Sequence, residues 1–130
     1  MNSGTVDGKR IDILGADFVN SGKINADNIK ASVTNTRNDG FIYSGNDIDL
    51  TTGTLINTKE IAAVNNVNAA NANVTNGGKI ASNGRVLLDN SAITNNGEIL
   101  SSEILMKNAQ RFDNTGTIKG NKLRDRKSVV

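Results

Sequence analysis

One asparagine recurs along the whole chain, at Asn2, Asn20, Asn38, Asn57, Asn76, Asn95 and Asn114, at intervals of 18, 18, 19, 19, 19 and 19 residues. A fixed period near twenty is the mark of a solenoid, in which each repeat is one supersecondary unit that buries its apolar face only by stacking on the next. This period constrains the fold more than any other feature of the sequence. Asn2 is already in phase, so the start reads as falling in mid-repeat, and the chain is expected to be a piece of something longer.

Alignment on the asparagine exposes further columns. Two residues before it stand Phe18, Thr36, Leu55, Val74, Ile93 and Phe112; four after it stand Val6, Ile24, Ile42, Ile61, Ile80, Ile99 and Ile118. Six after it the residue is always small, from Gly8 and Ala26 to Ser101 and Gly120. Then come Ile11, Ile29, Ile48, Val67, Val86, Ile104 and Leu123, followed two residues on by Ile13, Ala31, Leu50, Ala69, Leu88 and Met106. Within each cluster the apolar spacing is two, the period of a strand with one buried face.

Each coil therefore reads as three short strands separated by turns, with successive coils paired in parallel about 4.8 Å apart. The predicted fold is all-β: a parallel β-helix of 18–19-residue coils, right-handed on the general preference for parallel crossovers. The nineteenth residue lies in a turn, where it disturbs no register. In the first two coils the step from the Val6/Ile24 column to the next core residue is five (Val6 to Ile11, Ile24 to Ile29), and in the next three it is six (Ile42 to Ile48, Ile61 to Val67, Ile80 to Val86). The coil starting at Asn95 returns to five and places its extra residue between Met106 and Phe112.

An asparagine where a strand enters a turn can bond the local backbone and also donate to, and accept from, the amide one coil away. Asn20, Asn38, Asn57, Asn76, Asn95 and Asn114 are thus expected to form a structural ladder. The glycine two residues later, replaced only at Lys59, is expected to serve a turn that needs positive φ. The repeat segment spans 1–123, about six coils. Residues 124–130, RDRKSVV, read as a charged tail, either disordered or covering the lower end, with Asp125 at what would be a core position.

Composition agrees with a narrow core: 36% hydrophobic and 3% aromatic residues, 13 glycines and no proline. A net charge of +2, with 15 basic residues spread against 13 acidic ones, leaves no basic stripe for a phosphate backbone, so no nucleic-acid partner is expected. The lack of His and Cys removes the usual nucleophile–base pairs and the usual metal ligands. No catalytic, cofactor or metal residue is assigned.

The text N-x-G-x-I followed by a small residue and then a V-x-L-like pair, as in NNGEILSSEILM and NGGKIASNGRVLL, resembles the repeats of filamentous-haemagglutinin-type exoproteins. These are the large adhesins and contact-dependent growth-inhibition proteins of two-partner secretion. The likeness covers Asn2 to Leu123, with Lys59 and Thr36 as departures. It implies a non-catalytic β-helical shaft segment, secreted or displayed outside a Gram-negative cell, whose partners are the adjacent coils of its parent.

Sugar-cleaving β-helices resemble this architecture, which makes Asp47 and Asp49 candidate acids. The alternative function is carbohydrate binding or cleavage. Asp49, however, belongs to an outward column, Asp12, Lys30, Asp49, Asn68, that alternates in charge as Glu60, Lys79, Glu98 does, and a solvated ion-pair ladder explains both. Apolar residues in outward columns are better candidates for contact with a host or neighbouring-cell receptor or glycan. Phe41 and Tyr43 should project together, and Leu87 and Leu105 occupy equivalent outward positions in adjacent coils. Unpaired strands at either end also invite end-to-end self-association.

Overall fold

A computed structural model describes residues 1–70, 73–89, 92–107 and 111–126, the last four by backbone alone. The chain is a β-solenoid of parallel strands, with no helix among the described residues. The first three coils are long strands that keep pairing through their corners: β1 (Thr5–Asn20), β2 (Lys23–Asn38) and β3 (Phe41–Asn57). The next three coils each break into three strands, as expected from the sequence. These are β4 (Glu60–Ala63), β5 (Asn66–Ala70) and β6 (Asn73–Asn76); then β7 (Lys79–Ser82), β8 (Arg85–Asp89) and β9 (Ala92–Asn95). The last two sets are β10 (Glu98–Leu100), β11 (Glu103–Lys107) and β12 (Arg111–Asn114), followed by β13 (Thr117–Lys119) and β14 (Lys122–Arg126).

β1 pairs with β2 and β2 with β3, and below β3 three parallel ladders descend. They run β3–β4–β7–β10–β13, β3–β5–β8–β11–β14 and β3–β6–β9–β12. Register follows the columns, with Ile42 on Ile61, Ile61 on Ile80 and Ile80 on Ile99. These four isoleucines are all 0% exposed. Complete burial of such a side chain contributes about 1.5–3 kcal/mol, so the one file of isoleucines is a main source of stability.

The extra residue of the 19-residue coils sits where the spacing placed it. Between β2 and β3 the register shifts at the corner, where Gly45 and Asn46 stand against the single Asp27. The Ser44 hydroxyl lies 2.7 and 2.9 Å from the carbonyls of Asp27 and Asp47 and accepts from the Asn46 N–H at 3.2 Å, closing the bulge. In the coil of Asn95 the corresponding insertion was expected between Met106 and Phe112, and residues 108–110 of that stretch lie outside the described residues.

Inside the rod the asparagines form the expected ladder. Each Nδ2 donates to the Oδ1 of the next coil's asparagine, from Asn2 to Asn20 and on through Asn38, Asn57, Asn76 and Asn95 to Asn114, at 2.8–2.9 Å. The same Nδ2 also reaches a carbonyl in its own turn and one in the next coil, as Asn76 does to Gly78 and Glu98. Asn20, Asn38, Asn57, Asn76 and Asn95 are 0% exposed, so their bonds form where an unpaired amide would be costly.

One departure from the sequence reading concerns the turn after each asparagine. The glycines after the asparagines do not adopt positive φ; the positive-φ glycine among the described residues is Gly15, at +152°. Close approach of the coils is what demands glycine here. A Cβ on Gly22, Gly40, Gly97 or Gly116 would collide with the carbonyl oxygen of the glycine one coil earlier. Lys59 breaks this column, and the Asn57 amide lies 3.5 Å from its carbonyl, where Asn38 reaches Gly40 at 3.0 Å. Thr36 is as buried as the apolar residues of its column, at 1% exposed, because its hydroxyl donates to Thr52 Oγ1 at 3.1 Å and Thr52 reaches the carbonyl of Thr54 at 3.0 Å.

At the lower end β14 runs through Arg124 and Asp125 to Arg126, with Met106 paired to Asp125, so the last strand enters the segment read as a tail. Residues 127–130 lie outside the described residues.

Candidate functional site

β3 enters its coil with Phe41 and Tyr43 on either side of the buried Ile42, and strand alternation sends both rings outward. The rings stack with centroids 5.9 Å apart and planes 16° from parallel. Phe41 remains 39% exposed and Tyr43 is half-buried. Two neighbours from the next turn complete the group. Lys59 Nζ lies 5.8 Å from the centre of the Phe41 ring, within cation–π range. The Tyr43 hydroxyl donates to Glu60 Oε2 at 2.6 Å. Burial, and then the Glu60 carboxylate, push the Tyr43 phenol up to about 12.

The sequence reading named the two rings and missed Lys59 and Glu60. A signal for Lys59 was present: it is the one non-glycine in the turn column, two residues after Asn57, the asparagine that ends this strand. By its column, Glu60 is expected to pair with Lys79. The structure turns its carboxylate to the tyrosine instead.

Below Tyr43 its column shrinks to Ala62 and Ala81 before widening again at Leu100. The result is an open depression of about 550 Å³ with these small residues on its floor. Glu60 and Lys79 line one side of it, and Asn83, Ser102 and Asn121 come from the turns that follow the strands. Neither ring lines this depression; Glu60, which does, links it to the Tyr43 hydroxyl, and an open surface of this kind can hold an extended ligand.

The other candidates separate. Leu87 and Leu105 are in register, as expected, in the column that continues from Asn68. Leu87 is half-buried and Leu105 only 9% exposed, which leaves little of the pair for a partner. Arg85 and Glu103, neighbours of these leucines on the same strands, pair at 3.8 Å. Asp47 and Asp49 are occupied locally: Asp47 accepts the Asn66 N–H at 3.2 Å, and Asp49 accepts the Asn68 amide at 2.7 Å.

The charge columns do not form ladders. Among the described residues no ion pair of 4 Å or less joins Lys30 to Asp12 or Asp49, or Lys79 to Glu60 or Glu98. Arg10 instead bonds Asp12 at 3.1 Å, Arg37 bonds Asp39 at 2.8 Å and Arg111 bonds Asp113 at 2.7 Å, each within its own coil. The Arg37 guanidinium, followed by the Thr58 hydroxyl, holds the Asp39 carboxyl below its usual range. No group of three or more acidic side chains among the described residues is arranged to hold a metal ion.

No family model matches the chain, and neither a curated protein nor a solved structure does.

Proposed function

We propose that this chain is a non-catalytic segment of the shaft of a large secreted or cell-surface bacterial exoprotein of the filamentous-haemagglutinin type, an adhesin or contact-dependent inhibition protein. The observation that carries the proposal is the unbroken internal column: asparagine amides bonded coil to coil at 2.8–2.9 Å over core residues with almost no exposure. Such a column serves length and rigidity. Six intervals give a rod of roughly 29 Å, and adding coils extends it without changing any contact already made. The repeat text N-x-G-x-I supports the placement outside a Gram-negative cell.

Contact with host or neighbouring-cell surfaces is assigned to the Phe41–Tyr43 face. The depression beneath it favours a second reading, a carbohydrate-binding face. Cleavage is left out of that reading because both candidate carboxylates are held by neighbouring coils.

The test is binding of the purified chain to bacterial cells, host cells and a glycan array, beside a Phe41→Ala/Tyr43→Ala variant shown by circular dichroism to keep its β-structure. Cell binding lost in the variant supports an adhesive shaft. Binding to defined glycans, lost in the variant, favours the second reading. Turnover of a bound glycan would overturn the non-catalytic assignment, and no binding by either protein would reduce the segment to a spacer.

A further inference from the structure

Lys59 stands where the coils leave room only for glycine. In the same column a Cβ on Gly22, Gly40, Gly97 or Gly116 would collide with the carbonyl oxygen one coil earlier. Lys59 carries that Cβ, and the turn opens to admit it. The Glu60 N–H reaches the Gly40 carbonyl at 3.1 Å, where the equivalent bonds of Lys23, Phe41, Glu98 and Thr117 measure 2.7–2.9 Å. The Asn57 amide lies 3.5 Å from the Lys59 carbonyl, against 3.0–3.3 Å for the same bond to Gly22, Gly40, Gly78 and Gly97. The lysine is therefore held at the expense of two backbone contacts that glycine would keep.

Nothing within the chain accounts for that expense. Lys59 Nζ sits over the Phe41 ring, and among the described residues it forms no ion pair of 4 Å or less. Its charge is felt by Asp39, but that carboxylate is already bonded by Arg37 and by the Thr58 hydroxyl, each at 2.8 Å. The depression beside this turn carries two more ammonium groups, Lys79 and Lys119, which likewise make no ion pair among the described residues. Glu60, in register with Lys79, is turned to the Tyr43 hydroxyl, and Glu98, in register on the other side, does not line the depression. Three cations thus share one face whose nearest acids are engaged elsewhere or stand apart.

We infer that Lys59 is a ligand-binding residue of the Phe41–Tyr43 face and makes that face selective for an acidic sugar, one that carries a carboxylate. The inference rests on the carbohydrate reading given above. An ammonium group is a compact charge with three donors, so it can meet a carboxylate and a neighbouring hydroxyl together. Further acidic units of the same polymer meet Lys79 and Lys119 along the depression.

Titration calorimetry of the chain against polygalacturonate and against neutral dextran tests this. The parent should bind polygalacturonate and not dextran, and Lys59→Gln should bind it about tenfold more weakly. Lys30→Gln removes the same charge from a column on another strand ladder and should bind as the parent does. An equal loss in Lys30→Gln would mean general attraction to a polyanion and would overturn the inference. So would dextran bound as tightly as polygalacturonate, or polygalacturonate binding undiminished by Lys59→Gln; after either result the carbohydrate reading stands and only the role of Lys59 falls. Binding of neither polymer overturns the inference too, whereas the reading beneath it falls only if the glycan array is blank as well. The urea midpoint of Lys59→Gly checks the crowded turn. It should be no lower than the parent's, even though glycine frees the unfolded chain, because the coils close up again. A lower midpoint would make Lys59 a structural residue and overturn the inference.

Discussion

Asn57 and Asn76 face each other across one coil step inside the rod, and Lys30 and Asp49 do so outside it, yet only the inner pair bonds along the stack. An amide carries donor and acceptor together, so identical residues can satisfy one another without end, and in the dry interior each missed bond would be costly. A lysine and an aspartate on the outer face are both solvated. Their attraction through water contributes roughly 0–1 kcal/mol and does not hold two flexible side chains together. Outside, Arg10 finds Asp12 within its own coil, while bonds between coils are scattered rather than continuous, as between Asn68 and Asp49 or Arg85 and Glu103.

The largest effect expected from this contrast is Ile80→Asp, which places an unpaired carboxylate in a column that is 0% exposed. A cost above about 5 kcal/mol is expected, comparable to the whole stability of a small domain. Loss of the β-type circular dichroism signal checks it, and a folded variant would mean the column is not sealed. Next comes Asn76→Ala, which strips partners from Asn57 Nδ2 and Asn95 Oδ1. Two buried groups at about 1–3 kcal/mol each suggest roughly 2–6 kcal/mol, read from the urea midpoint. A shift no larger than that of a surface change would show that water can replace the ladder.

Gly97→Ala tests the close approach of coils. Its methyl would meet the carbonyl of Gly78, and a loss of about 1–3 kcal/mol is expected from forced backbone shifts. An unchanged midpoint would return the glycine column to an ordinary turn requirement. On the outer face, Tyr43 is the chain's one tyrosine, so its phenolate absorbance can be followed alone. The midpoint is expected at about 12 and should fall toward the ordinary value near 10.0 in Glu60→Gln. Because the folded chain holds this proton more tightly than the unfolded one, the contribution is fully present below pH 10 and is lost as pH rises toward about 12. A midpoint near 10 in the parent chain would break the tyrosine–glutamate assignment. The smallest effect belongs to Glu98→Ala, on an exposed side chain with no ion-pair partner among the described residues: less than about 0.5 kcal/mol, and anything larger would revive the outer ladder.

The architecture was legible from the period because inward residues have one task, and stacked positions must all solve it alike. The asparagine column, the Ile42–Ile61–Ile80–Ile99 file and the position of the extra residue beside Asp27 could each be read by counting. The contact face was half legible. Alternation sent Phe41 and Tyr43 outward, but Lys59 and Glu60 come from the following turn, and no spacing rule says which of several neighbours a long charged side chain will choose.

By itself, then, the repeat determined the coil length, the parallel stacking and the identity of the inner columns, since these follow from backbone periodicity and from the cost of burying anything unmatched. Tertiary structure alone decided why glycine is needed at the turn, which acids pair with which bases, and how far Leu105 is covered. Those outcomes depend on distances of a few ångströms between residues nearly a coil apart or more, and on side-chain freedom in water, neither of which a one-dimensional period contains.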